Sequence, residues 1–321
     1  MVRTTYEGHG EREGYGAMSE LAYERRFRVW AERAKVRIER VAYSRAGGET
    51  TAFRLIPPQQ PRAMVVVCHG AGNDAMFGFI GLFKELLTRG FEIFTFDLDG
   101  HGRYSTTRWH GDAASSVIAH AVEQSGVGVR RIPLHLLGIS LGGSLLIHGL
   151  RDLPAASAVV IAAPLRIAFS ARTVLREIGL RSIGTLWRER RHYGFFGLVP
   201  AFGPFKRSIY PIRLSDTPAG RFGYIQQMND TLLSLDLERS AAAVTAPVLL
   251  LYGERDLTAP AEHGRVLLGA LRTGELEVLP SGTHLSTPLA PETISSVLSW
   301  FRLHDRPLSD TSAPFDSEIW G

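Results

Sequence analysis

The chain contains a single cysteine, Cys68, so no disulfide can form within it. It has no Cys-x-x-Cys pair and no His-Glu-x-x-His, which removes the common zinc signatures. It also lacks the Gly-x-x-x-x-Gly-Lys-Ser/Thr loop that cradles nucleotide phosphates. Neither a metal nor a cofactor is expected. Nowhere do 18 apolar residues run together, so no transmembrane helix is predicted. Residues 1–16 are polar and Gly-rich and lack the apolar stretch of a secretory signal, so the expected compartment is the cytoplasm. An excess of one charge sign is also missing. Lys and Arg number 36 against 32 Asp and Glu, a formal net charge of +4. That is too modest to predict a nucleic-acid partner. Internal repeats and low-complexity segments are absent. What remains is 321 residues with 45% apolar content, enough for one large α/β domain with an insertion or two small domains.

The stretch around which the rest is organised is Leu134-His135-Leu136-Leu137-Gly138-Ile139-Ser140-Leu141-Gly142-Gly143. It reads as an apolar strand that ends in Gly-x-Ser-x-Gly and runs directly into a helix, the pattern of a nucleophile elbow. A serine at so sharp a turn needs small neighbours, and Gly138 and Gly142 are the smallest. The following helix points its unsatisfied N–H groups at whatever anion forms there.

The flanking sequence supplies a fold for that strand. An amphipathic helix is predicted over residues 19–34, with Tyr23, Phe27, Trp30 and Ala34 on one face. Two strands at 36–43 and 51–55 are joined by the turn-like Ala46-Gly47-Gly48. Strand and helix then alternate: strands at 64–68, 91–98, 134–139 and 157–163, helices at 75–89, 110–125 and 141–150. The unalternating apolar strands are those of a parallel sheet buried on both faces, and Cys68 reads as a small hydrophobe within one of them. After Pro164 the rhythm stops and resumes with a strand at 248–252, a helix at 261–271, a strand at 276–279 and a helix at 291–303. The predicted class is α/β, a mostly parallel doubly wound sheet with right-handed crossovers and a helical insertion. The division is an N-terminal arm and helix (1–35), a core (36–164 and 240–304), a helical cap (165–239) and a flexible acidic tail (305–321).

A serine hydroxyl is a weak nucleophile at neutral pH and needs an imidazole, which in turn needs a carboxylate to set its tautomer. Asp256 follows the strand at 248–252, and His284 follows the strand at 276–279. Ligands bind at the carboxyl ends of strands in open α/β sheets, so Ser140, Asp256 and His284 should meet at one edge. Glu254 is the rival acid, but it lies nearer its strand and has the shorter reach. The oxyanion donors are assigned to the backbone N–H groups of Leu141 and of Ala71, in the loop His69-Gly70-Ala71-Gly72-Asn73-Asp74. His69 is read as a brace for that loop.

These motifs, with Asp97-Leu98-Asp99-Gly100-His101-Gly102, Gly253-Glu254-Arg255-Asp256 and Gly282-Thr283-His284, resemble the α/β-hydrolase superfamily. Over residues 60–302 the chain is similar to the capped serine hydrolases that include monoacylglycerol lipases, lysophospholipases and serine aminopeptidases. The resemblance implies a triad of Ser140, Asp256 and His284 with oxyanion donors at Ala71 and Leu141. It also implies a structural role for the turn carrying Asp97 and His101. One departure stands out: Tyr104 separates Arg103 from Ser105, where the family has Arg or Gln directly before Ser. A second lies in the helix before residue 36, which has no family counterpart. Serine in place of aspartate at the elbow disfavours haloalkane and epoxide chemistry.

The segment 165–239 is rich in aromatics, among them Trp187, Tyr193, Phe195, Phe196, Phe202 and Phe205. An apolar acyl or alcohol group is therefore expected in the substrate. Between Arg166 and Arg191, arginines outnumber the two glutamates, Glu177 and Glu189. That bias is compatible with a solvated helix face or with weak contact to an anionic membrane surface. The expected function is hydrolysis of a small-molecule or lipid-like carboxylic ester through an acyl-enzyme. The alternatives are a thioesterase, acyltransferase or peptidase on the same triad, and a non-catalytic binding protein on a hydrolase fold.

Overall fold

The computed structural model describes residues 22–71, 73–76, 79–104, 109–130, 132–167 and 220–305. Its centre is an eight-stranded sheet, with helices numbered below among the described residues. Strands β1 (Arg37–Arg45) and β2 (Gly48–Ile56) form an antiparallel hairpin, and β2 runs antiparallel to β4 (Phe91–Phe96). From there β3 (Ala63–Cys68), β5 (Leu134–Ile139), β6 (Ser157–Ile161), β7 (Val248–Gly253) and β8 (Gly274–Leu279) are parallel. The spatial order is β1-β2-β4-β3-β5-β6-β7-β8. This is the mostly parallel α/β sheet expected from the strand pattern. Every residue of β3, β4, β5, β6 and β7 is buried, which is why those strands show no polar alternation. The edge strand β8 does alternate.

The helices that follow are α2 (Ile80–Thr88), α3 (Val117–Ser125), α4 (Leu141–Leu150), α5 (Gly220–Ser234), α6 (Leu237–Ala243), α7 (Ala261–Ala270) and α8 (Pro291–Leu303). Among the described residues, no helix is long and apolar enough to cross a membrane. Before the sheet comes α1 (Ala22–Arg33). Its Tyr23, Phe27 and Ala31 are buried in the core, and Trp30 packs against it half-buried. Each large side chain so buried is worth about 2 kcal/mol.

Two predicted helices are shorter than their patterns. Helix α2 starts at Ile80, five residues into its predicted span, and ahead of it the Ala75 and Met76 N–H groups donate to Asp97 and Asp74, both at 2.8 Å. The segment from 110 begins as a 3-10 turn (Gly111–Ser116) before α3. Strand β8, by contrast, starts two residues earlier than its pattern. Asp305, assigned to the tail, pairs with Arg62 on the core.

Of the segment 165–239, only its entry at 165–167, helix α5 and the start of α6 are described. The aromatics and all but the first of the arginines noted above lie outside the described residues. The entry is held at two points. The Leu165 N–H donates to His263 Nδ1 on α7 at 3.3 Å, and the Ile167 N–H to Asn229 Oδ1 on α5 at 2.9 Å. Trp109 Nε1 donates to Thr231 Oγ1 at 3.0 Å, tying α5 to the core.

Candidate active site

Ser140 sits between β5 and α4 at φ 53°, ψ −122°, a left-handed backbone that a non-glycine residue adopts only when its surroundings over-determine it. Those surroundings are visible. The Ser140 N–H donates to the Ile161 carbonyl on β6 at 2.8 Å, and the Ser140 carbonyl accepts from Gly143 at 2.9 Å. Any Cβ on Gly142 would overlap the Cys68 carbonyl at the end of β3. The elbow is therefore pressed against the neighbouring strand end, and only glycine permits the approach.

The Ser140 Oγ lies 2.9 Å from His284 Nε2, and His284 Nδ1 lies 2.8 Å from Asp256 Oδ2. The structure thus brings the three predicted residues into one hydrogen-bonded chain at the carboxyl edge of β5, β7 and β8. The Asp256 side chain is completely buried, whereas that of His284 is 17% exposed. The other Asp256 oxygen accepts the Thr258 and Ala259 N–H groups at 2.8 and 2.7 Å. A carboxylate fixed by two backbone donors presents its remaining oxygen to the imidazole in one orientation. The two loops are stitched together, since Arg255 donates to the Gly282 carbonyl at 2.8 Å. Glu254, the rival acid, accepts from the Ser281 N–H at 3.1 Å and holds that loop instead.

The loop after β3 reaches the same place. A Cβ on Gly70 would stand 2.9 Å from the Ser140 Cβ, so the backbone leading to Ala71 passes directly beside the serine. Leu141 is the first residue of α4, where a backbone N–H has no partner within the helix.

His69 occupies the structural position expected of it. Its Nε2 accepts the Leu98 N–H at 2.9 Å and its Nδ1 donates to the Gly70 carbonyl at 2.8 Å, which fixes the tautomer. Burial lowers its pKa from 6.5 to about 4. His101, 5.3 Å away ring to ring, is pushed down to about 3 by burial and by His69. Both rings are neutral near pH 7. Asp97 closes the turn by accepting from Ala75 and Arg103 backbone donors at 2.8 Å and from Thr50 Oγ1 at 3.0 Å. Tyr104, the residue that departs from the family pattern, is buried and donates its hydroxyl to the Arg45 carbonyl.

The family model for the alpha/beta hydrolase family matches residues 65–296, more than half of the chain. The chain belongs to the alpha/beta hydrolase family. This hydrolase is 24% identical over 266 residues to a monoacylglycerol lipase of Mycolicibacterium smegmatis, covering 77% of this chain and 91% of the relative. Its fold matches the crystal structure of the Paleococcus ferrophilus monoacylglycerol lipase with a TM-score of 0.54 at 21% identity, over 79% of this chain and all of the other. A thermophilic esterase from Thermogutta terrifontis matches with a TM-score of 0.54 at 19% identity, over 84% of this chain and 100% of the other. These structural likenesses concern the fold.

Sequence reasoning missed several residues that hold the loops and segment ends of this hydrolase in place. His263 and Asn229, which hold the entry at 165–167, carry no motif. Tyr23 and Glu24 read only as part of an amphipathic helix, because their partners lie far away in sequence.

Proposed function

We propose that this hydrolase cleaves carboxylic esters through an acyl-enzyme formed on Ser140. The observation that carries the reading is the chain Ser140 Oγ to His284 Nε2 to Asp256, with both links under 3 Å. As the Ser140 oxygen attacks the ester carbonyl, its proton passes to His284 Nε2. Asp256 steadies the resulting imidazolium. The carbonyl oxygen takes the negative charge and is met by the N–H groups of Ala71 and Leu141, each such donor contributing roughly 3 kcal/mol. The alcohol leaves with the His284 proton. Water then repeats the sequence, giving its proton to His284 and releasing the acid and free Ser140.

The segment 165–239 is assigned to a cap over the serine, between the core at 36–164 and 240–304. The support is its place in the chain: it leaves the sheet at the carboxyl end of β6, beside the elbow, and both of its described ends are tied to the core. Its aromatic sequence favours an apolar acyl or alcohol group. A relative named as a monoacylglycerol lipase supports the same class, a small-molecule or lipid-like ester.

The test is labelling with a fluorophosphonate probe, followed by turnover of p-nitrophenyl esters of rising chain length and of a monoacylglycerol. Wild-type protein should label, and Ser140→Ala and His284→Ala should not. Labelling that survives Ser140→Ala removes the serine assignment. Faster turnover of acyl thioesters or aminoacyl amides than of every ester would replace the ester reading with the thioesterase or peptidase one.

A further inference from the structure

Helix α1 lies outside residues 65–296, the part of the chain that the family shares. Its first turn nevertheless reaches the loops beside the serine. The Tyr23 hydroxyl donates to Asp74 Oδ2, and Asp74 Oδ1 accepts the Met76 N–H at 2.8 Å. Glu24, the next residue, takes the Arg103 guanidinium at 2.6 Å, with a second parallel contact between the same two groups. Arg103 in turn gives its backbone N–H to Asp97 Oδ2 at 2.8 Å, while Asp97 Oδ1 holds the Ala75 N–H at 2.8 Å. Two consecutive side chains of α1 therefore grip both the loop after β3 and the turn after β4.

Those two connections converge on the short run from Asp74 to Met76. That run continues from Gly70 and Ala71, and an Asn73 N–H to Gly70 carbonyl bond at 3.3 Å closes the turn between them. His69, just before, is tied to Leu98 of the second turn. Tyr23, Glu24 and Asp74 are all buried, at 2, 9 and 8% exposure. Charged hydrogen bonds in such surroundings are strong and directional. The Tyr23 phenol is held well above its ordinary pKa, first by burial and then by the Asp74 charge, so it remains a donor. An apolar helix face would have been enough to cover the core. The two polar side chains have a different destination.

We infer that Tyr23 and Glu24 are positioning residues for the oxyanion loop: through Asp74 and Arg103 they set where the Ala71 N–H stands relative to Ser140. The inference rests on the catalytic reading above. A donor to an oxyanion acts in the transition state far more than in the bound substrate, and a loop displaced by a fraction of an ångström weakens it sharply. The brace should consequently show itself in kcat and not in KM.

The experiment compares full-length wild type with Tyr23→Phe, Glu24→Gln, Asp74→Asn, the Tyr23→Phe/Asp74→Asn pair and a control, Glu32→Gln. Glu32 is an exposed α1 residue paired with Arg28. The readouts are kcat and KM for p-nitrophenyl butyrate, the rate of fluorophosphonate labelling, and amide hydrogen exchange at Ala71, Asn73, Asp74 and Ala75. Tyr23→Phe should lower kcat and the labelling rate about 10-fold, leave KM within about two-fold, and speed exchange at those amides. Glu24→Gln should move the same readouts less, and Glu32→Gln should move none of them. The pair should lose less than the product of the single losses, because both remove one bond. Unchanged kcat with a lowered melting temperature would overturn the brace and leave α1 as cover. So would a lowered kcat without faster exchange at the loop. If wild-type protein neither labels nor turns over, the catalytic reading fails first and the brace falls with it.

Discussion

Gly138 and Gly142 face each other across the elbow so closely that a Cβ on Gly138 would come 2.5 Å from the Gly142 carbonyl oxygen and 2.7 Å from the Gly143 Cα. Backbone atoms cannot move aside as a side-chain tip can. Gly138→Ala should destabilise the fold by about 1–3 kcal/mol and shift Ser140. Gly269, near the end of α7, has nothing within 4 Å of its Cβ position. Gly269→Ala should stabilise by about 0.5–1 kcal/mol. Urea unfolding of the two variants checks both signs.

Asp256→Asn preserves shape and can still accept the Thr258 and Ala259 N–H groups, but it turns an amide N–H₂ toward His284 Nδ1. The imidazole then favours the wrong tautomer. The expected loss in kcat is about 10,000-fold with an unchanged melting temperature. Glu254→Gln touches only the Ser281 N–H and should leave kcat within a few-fold. Equal losses in the two variants would contradict the assignment of the acid.

The two buried histidines of the β3 and β4 loops give a pH dependence with a definite sign. Both rings have folded-state pKa values, about 4 and about 3, below the 6.5 of the unfolded chain. Below pH 6.5 the unfolded chain therefore binds protons that the folded rings refuse. Their contribution to stability is complete above that pH and is lost as pH falls toward 4 and 3, at up to about 1.4 kcal/mol per pH unit for each ring. Imidazole resonances followed by NMR should show two rings that stay neutral at pH 5, with His69 carrying its proton on Nδ1. A ring at either position that titrates near 6.5 would refute the packing described.

Arg45 and Asp99 form a buried ion pair at 2.6 Å, with side chains 6% and 2% exposed. Arg45→Met leaves the carboxylate in the interior without its cation and should cost about 3–5 kcal/mol. The double variant Arg45→Met/Asp99→Asn removes the stranded charge and should recover part of that loss. Denaturant midpoints of the three proteins give the comparison, and a double variant weaker than the single one would show that Asp99 is held by other groups.

The local features were legible in the sequence because their causes are local. Strand β5 and helices α4 and α8 begin and end where the pattern places them, since a run of apolar residues bounded by glycine or proline needs no distant partner to declare its limits. The elbow itself is a matter of two glycines two residues from a serine. The order Ser140, Asp256, His284 carries information too, because each follows a strand and a parallel sheet aligns strand ends. Helix α2 was overestimated for the opposite reason. The Ala75 and Met76 N–H groups ahead of it are held by Asp97 and Asp74, and no hydrophobic period records a hydrogen bond to a residue 22 positions away.

Composition and spacing by themselves determined the fold class, the sheet's order of events and the residue types gathered at its carboxyl edge. Tertiary structure decided which oxygen faces which nitrogen. It turned Glu254 toward Ser281 and Asp256 toward His284, and it placed the serine within hydrogen-bond reach of a residue 144 positions later. It also gave α1 its partners. A periodic pattern reports which face of a helix is apolar, whereas the destination of Tyr23 and Glu24 depends on where a buried carboxylate and a guanidinium arrive from elsewhere in the chain. Hydrophobic burial is non-directional and so can be read along a sequence. Hydrogen bonds are directional and long in sequence, and they exist only once the chain has closed on itself.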